Sequence, residues 1–300
     1  MKNKILGNIA LFTTALIWGL SFVAQREGME HIGPFTFNAV RSFLGCLSLL
    51  PVIFWIKYSK PDTRTDRRRR YQHINLARAG IGCGLALFIA MTIQQYCMQY
   101  VTAGKAGFIS AMYIIFVPLI AILQGKKLEK KFLICVSLSV IGLYFLCYRP
   151  GGGFNVYDLL LLVGAFFYGV QMLVVNYYSL RVNPVKASCA QFFTVGVLSL
   201  LLTLMYEHPT LAGIIACKVS IFVAGVLTCG VAYTLQFYGQ KHTHPIIAAL
   251  IFSLESVFAA VGGALILGET MVSKEILGCV FMIVAVIWSN MPEQLPAQKK

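Results

Sequence analysis

Charge is scarce in this chain. Only 12% of its 300 residues are charged and 58% are hydrophobic, whereas a soluble domain carries about 25% charged residues. Too little polar surface is left for a fold that lives in water, and an integral membrane protein is expected. Carboxylates are rarer still: 11 against 25 lysines and arginines. The three aspartates, Asp62, Asp66 and Asp158, lie at or beyond the ends of apolar runs, which excludes an aspartyl dyad inside a membrane. No H-E-x-x-H and no G-x-x-x-x-G-K-[ST] occurs, so neither a zincin site nor a nucleotide-hydrolysing loop is expected. No C-x-x-C pair occurs among the nine cysteines, which fall almost entirely within apolar runs. They read as small apolar fillers rather than disulfide or zinc ligands. His242 and His244 stand two apart with no further ligands nearby, a pattern of solvated loop histidines. The chain is therefore expected to be no enzyme and to need no cofactor.

What is abundant is apolar sequence of spanning length. Runs near 5–24, 35–56, 79–101, 104–124, 132–148, 157–176, 185–205, 219–239, 245–267 and 274–290 each approach the ~20 residues that a hydrocarbon layer requires. The first is too long for a signal-peptide core and no small-residue cleavage site follows it, so it counts as a span. The net charge of +14 does not imply nucleic acid, because the basic residues sit in the short connections. With the N-terminus inside, only Arg26, Lys105, Arg149, Lys218 and Lys274 fall in outer segments and Arg41 falls within a span, leaving 19 inside. This bias places both termini in the cytoplasm. Arg67 to Arg70 read as a topology anchor by the same rule.

Arg149-Pro150-Gly151-Gly152-Gly153 is the one linker-like stretch, and Gly and Pro there break helix. It divides the chain into residues 1–149 and 154–291, followed by a short polar cytoplasmic tail, 292–300. The halves are weakly alike. At an offset of 150, Ala15, Trp18 and Gly19 meet Ala165, Tyr168 and Gly169, and Pro34 and Phe43 meet Pro184 and Phe193. At an offset of 142, Thr92, Gln94, Tyr96 and Ala106 meet Thr234, Gln236, Tyr238 and Ala248. An odd number of spans per half inverts the second repeat in the membrane. Such repeats place a site near the midplane, opened to each side in turn as the halves rock. The expected fold is an all-α membrane protein of ten transmembrane helices, built as two inverted five-helix repeats.

The stretches ALIWGLSFVA (15–24), FTFNAVRSFLG (35–45) and LESVFAAVGGALILGE (254–269) together resemble the EamA-type family of the drug/metabolite transporter superfamily, over essentially the whole chain. The resemblance implies a ten-helix multi-pass carrier of the plasma (inner) membrane with a central cavity. Its implied substrates are amino acids, nucleobases or other small metabolites, and many members are exporters. A proton is the candidate coupling ion and a homodimer the candidate assembly. The sequence departs from the family twice: Ser256 stands where Pro often follows the glutamate, and Gly125-Lys126 replaces a common Gly-Glu. After a membrane-embedded enzyme, a channel is the second rival, but ion filters need rings of carbonyls or charges, and here one acid and one arginine stand alone. A lipid-handling or structural role is the remaining alternative.

Glu255 heads the candidate residues. It lies eleven residues past His244, ~16 Å up a helix and close to the bilayer midplane. Ionisable groups at that depth face a cavity or a partner and mark pathways. Arg41, ~9 Å inside its span, either holds a substrate carboxylate, pairs with Glu255, or snorkels to headgroups. Trp18, Phe22 and Tyr168 are candidate cavity walls against the alternative of ordinary packing. Asn38, Gln94, Tyr96, Tyr233 and Gln236 are polar groups within spans, where an unmet hydrogen bond is expensive. Ser21, Gln95 and Gln171 share that property, and helix-to-helix bonding competes with substrate contact for all of them.

Overall fold

The computed structural model describes residues 2–59, 66–101, 103–125, 128–147, 155–267 and 272–291. The Gly151–Gly153 joint and the 292–300 tail lie outside these residues. Every regular element described is helical. In chain order they are α1 (Lys2–Gly28), α2 (Pro34–Ser59), α3 (Asp66–Cys97), α4 (Ala103–Ser110), α5 (Tyr113–Leu123), α6 (Lys130–Cys147), α7 (Val156–Ser179), α8 (Pro184–Tyr206), α9 (Leu211–Ala216), α10 (Lys218–Phe222), a π-helical segment (Val223–Ala232), α11 (Tyr233–Gln240), α12 (Pro245–Ser253), α13 (Glu255–Leu267) and α14 (Ser273–Asn290).

The helix starts follow from local chemistry. Three helices open on proline, Pro34, Pro184 and Pro245, at the one helical position whose missing N–H loses nothing. Asn183 caps α8 by accepting from the Val185 and Lys186 amides, and Asn155 forms a reciprocal capping box with Asp158 at α7. Among the described residues, nine helical stretches are long and apolar enough to cross a membrane. The fifth expected span falls on α6, outside those nine, packed along α14. The surface is apolar as a lipid-facing surface must be: Trp55 is 68% exposed and Leu204 70%. The protein is an all-α membrane protein.

Three of the expected spans depart from simple helix. The fourth is interrupted at Ala111–Met112 and the ninth at Leu254. At both points the helix tightens: the Met112 amide donates to the Ile109 carbonyl and the Leu254 amide to the Ile251 carbonyl, three residues back rather than four. An offset of 142 superposes these interruptions, so they occupy matching places in the two halves. The eighth span widens into ten residues of π-helix, a geometry that is rare and frequently found at functional sites.

The packing is preserved when the halves are exchanged. The matched pairs α2 with α8 and α6 with α14 pack together. The contact of α3 with α7 is mirrored by α1 with the π segment and α11. Likewise α4 and α5 against α7 are mirrored by α12 and α13 against α1. Close approach makes this possible at Gly19, where a Cβ would lie 2.5 Å from the Glu255 carbonyl oxygen. A second tight crossing is at Gly45, whose Cβ would lie 2.5 Å from Cys229 Cβ. Hydrogen bonds tie the halves at two levels. Glu207 accepts from the Phe35 and Thr36 amides at 2.9 and 2.7 Å, and Lys105 pairs with Asp158 at 2.8 Å. Elsewhere Asn8 accepts from the Thr243 hydroxyl at 2.9 Å and donates to Asn290 at 2.8 Å.

Candidate functional site

A cavity of about 50 Å³ lies between the halves, room for a few waters at about 10–15 Å³ each. Residues of α1, α2, α3, α4 and α5 line one part of it, and residues of α7, the π segment, α11 and α13 line the other. Its position follows from the departures just described. The tightened turns put Tyr113 and Glu255 at the first position of α5 and α13, and the π segment brings Thr228 and Cys229 to the wall.

Glu255 is 6% exposed and opens onto the cavity. Among the described residues its one hydrogen-bond partner is the Tyr113 hydroxyl, which donates to Oε1 at 3.0 Å. Arg41 is 2% exposed and lines the same cavity. Its Nη1 donates to Gln25 Oε1 at 2.8 Å, and the guanidinium lies 5.3 Å from the Phe37 ring centre. Its Nε has no hydrogen-bond partner among the described residues. No ion pair joins Arg41 to Glu255 or to any other carboxylate among the described residues. The anticipated alternatives of mutual pairing and of snorkelling are thus both absent: the guanidinium is buried and faces inward.

The guanidinium is held by a relay along α1. Gln25 receives Arg41 on its carbonyl and donates its amide to Ser21 Oγ at 3.1 Å, and Ser21 donates to the Trp18 carbonyl at 2.9 Å. Trp18 forms an aromatic wall with Tyr233 and Phe252, at ring-centre distances of 4.8 and 5.0 Å. The Trp18 indole N–H is buried without a partner among the described residues. Across the cavity the Tyr168 hydroxyl donates to Gln94 Oε1 at 2.7 Å, while Gln94 Nε2 donates to Ser110 Oγ at 3.0 Å.

Five of the eight main sequence candidates therefore meet at one cavity: Glu255, Arg41, Trp18, Gln94 and Tyr233. Gln236 sits behind the wall, exchanging hydrogen bonds with Gln171 at 3.1 and 3.2 Å. Asn38 is buried nearby and donates to the Met91 carbonyl at 3.3 Å. Tyr96 is placed elsewhere, 37% exposed, stacked on Phe35 and tilted against Tyr100. Sequence reasoning passed over Tyr113 and Gln25. The offset of 142 that pairs Gln94 with Gln236 also sets Tyr113 opposite Glu255, and Gln25 stands one helical turn beyond Ser21; those were the available signals.

A helical membrane bundle of two matched halves around an inter-half cavity defines a membrane transporter. The EamA-like transporter family matches the chain twice, over residues 5–148 and 155–291, and the chain belongs to that family. An "uncharacterized transporter" of Archaeoglobus fulgidus is 30% identical over 290 residues, covering 95% of this chain and 86% of that protein. The "uncharacterized transporter YoaV" of Bacillus subtilis is 23% identical over 283 residues, covering 91% and 93%. A protein of known crystal structure superposes with a TM-score of 0.72 at 16% identity, covering 95% of this chain and 96% of that one, a likeness of fold alone.

Proposed function

We propose that this transporter is a carrier of the plasma membrane, with ten spans and both termini cytoplasmic. It moves a small polar metabolite outward by alternating access around the inter-half cavity. The observation that carries this reading is the placement of two charged side chains on one cavity walled by both halves. Unpaired charges at membrane depth are costly and are kept where they serve a pathway. Rocking the halves about a fixed midplane site exposes it alternately to the two sides.

The test is flux in proteoliposomes. A carrier gives saturable uptake that is accelerated by unlabelled substrate on the opposite side, and a channel gives neither. Glu255→Gln should reach the membrane in normal amount, because Gln fills nearly the same volume and relieves a buried charge, yet lose most of the flux. If Glu255 exchanges a proton during the cycle, the substitution removes the pH dependence of transport. If it receives a substrate cation, binding weakens while the pH profile keeps its shape. Unchanged binding and unchanged flux in Glu255→Gln would defeat both versions.

A further inference from the structure

The starts of α2 and α8 occupy matched places, yet they are capped in different ways. Asn183 closes α8 from within its own half, accepting from the second and third amides of that helix, Val185 and Lys186, at 3.0 and 3.2 Å. At the offset of 150 its counterpart is Gly33, which has no side chain to offer. The second and third amides of α2, Phe35 and Thr36, go instead to the two carboxyl oxygens of Glu207 at the far end of α8. Glu207 also accepts from the Thr36 hydroxyl at 2.5 Å. The space is shaped for this, because a Cβ at Gly33 would lie 2.3 Å from the Glu207 carboxyl carbon. The first amides of a helix need an acceptor, which a cap residue normally supplies. Here α2 keeps its cap only while the two halves stay together at this end.

Two further contacts cross between the halves at the same level. Asp158 of the second half pairs with Lys105 of the first at 2.8 Å, and Ser220 of the second donates to Glu27 of the first at 3.1 Å. All three contacts join segments that the topology proposed above places outside. The counterpart of Asp158 at the offset of 150 is Asn8, which accepts from the Thr243 hydroxyl at the opposite end. The likeness of the halves is thus broken rim by rim. Carboxyl groups span the outer end, whereas an amide and a hydroxyl meet at the matched inner place. Bonds to carboxylates are the stronger kind. The helix that Glu207 holds also carries Arg41, which lines the cavity two turns further in. We propose, on the reading of this protein as an alternating-access carrier in that orientation, that Glu207 is its outer latch. Its carboxyl group closes the outer end of the cavity by serving as the cap of α2, and opening that side releases the cap.

The experiment uses Cys229, which lines the cavity and is 1% exposed, as a native reporter of opening. A membrane-impermeant methanethiosulfonate is applied to either side of oriented membrane vesicles, and modification at Cys229 is timed by peptide mapping. Glu207→Ala should raise the outside rate about tenfold or more, the factor that one charge-assisted hydrogen bond carries, without raising the inside rate. It should also lower the apparent Tm, because α2 loses its cap. Adding Gly33→Asn, which copies Asn183, separates the two roles: Tm should recover while the outside rate stays raised. If Glu207→Ala alone fails to fold, the double variant against the parent decides. Parental outside labelling in Glu207→Ala, or in the double variant, overturns the latch and leaves Glu207 as a cap. A rise from both sides marks general loosening and overturns it too. A rise from the inside alone overturns both the outer placement and the orientation. If counter-flow is found while labelling is unchanged, the latch falls and the carrier stands. If labelling opens from outside but no solute gives counter-flow, the latch stands and the carrier falls.

Discussion

The bond between Tyr113 and Glu255 joins two residues 142 positions apart that occupy the same place in their respective halves. A carboxylate held by a hydroxyl in a buried site is worth about 1.5–3 kcal/mol, and stripping one partner leaves the other to bear the desolvation penalty. Tyr113→Phe is therefore expected to lower apparent thermal stability by that order. The double variant Tyr113→Phe with Glu255→Leu should lose less than the sum of the single losses, because both polar partners leave together. Unfolding midpoints of the four proteins in one detergent check this, and a Tyr113→Phe protein as stable as the parent removes the bond from the account. At this scale the sequence was half legible. A lone acid and a lone arginine within apolar runs announce themselves by their rarity. Tyr113 is one of 14 tyrosines and carries no local mark, since its role depends on a partner in the other half. Gln25 is similarly silent until Arg41 is seen to reach it.

Helices are where the reading from composition stops short. Apolar runs locate spans well, because a bilayer of fixed thickness demands a fixed length. They do not reveal the tightened turns at Met112 and Leu254, where no glycine or proline marks the break. Nor do they reveal the π segment, Val223–Ala232, which is as apolar as the helices on either side of it. The small-residue spacing of Ala15 with Gly19 and Ala165 with Gly169 predicts close helix crossings of equal weight in the two halves. The structure makes them unequal. A Cβ at Gly19 would meet backbone, the Glu255 carbonyl at 2.5 Å and the Ala259 amide at 2.9 Å. At Gly169 the nearest atom is Phe116 Cβ at 3.3 Å, which needs only a slight adjustment. Gly19→Ala is expected to cost about 1–3 kcal/mol as overpacking and to reduce folded yield, with Gly169→Ala near the parent. Monodisperse yield from membranes measures both, and equal behaviour of the two variants would contradict the asymmetry.

For the whole molecule, a handful of identities held in register points to a division into like halves, and the family matches over 5–148 and 155–291. What could not be read is how the halves meet. Exchange-preserved packing, the Glu207 contact with the start of α2 and the Lys105–Asp158 pair depend on coordinates between segments far apart in the chain. A sliding view of hydropathy sees each segment alone. The cavity is likewise a property of the assembled halves, even though most of its wall was nominated residue by residue.

Arg41 and Glu255 have a consequence for the energetics of transport across a polarised membrane. With Glu255 ionised their charges sum to zero, so a site loaded with an electroneutral solute is electrically like the empty one. Moving one uncompensated charge through 100 mV is worth about 2.3 kcal/mol, roughly a 40-fold change in the equilibrium ratio. A neutral cycle escapes this entirely. Potassium diffusion potentials set with valinomycin in proteoliposomes should leave the flux of an electroneutral substrate unaltered in the parent protein. A flux that follows the imposed voltage would show that a charge, such as a proton carried on Glu255, crosses with each turnover.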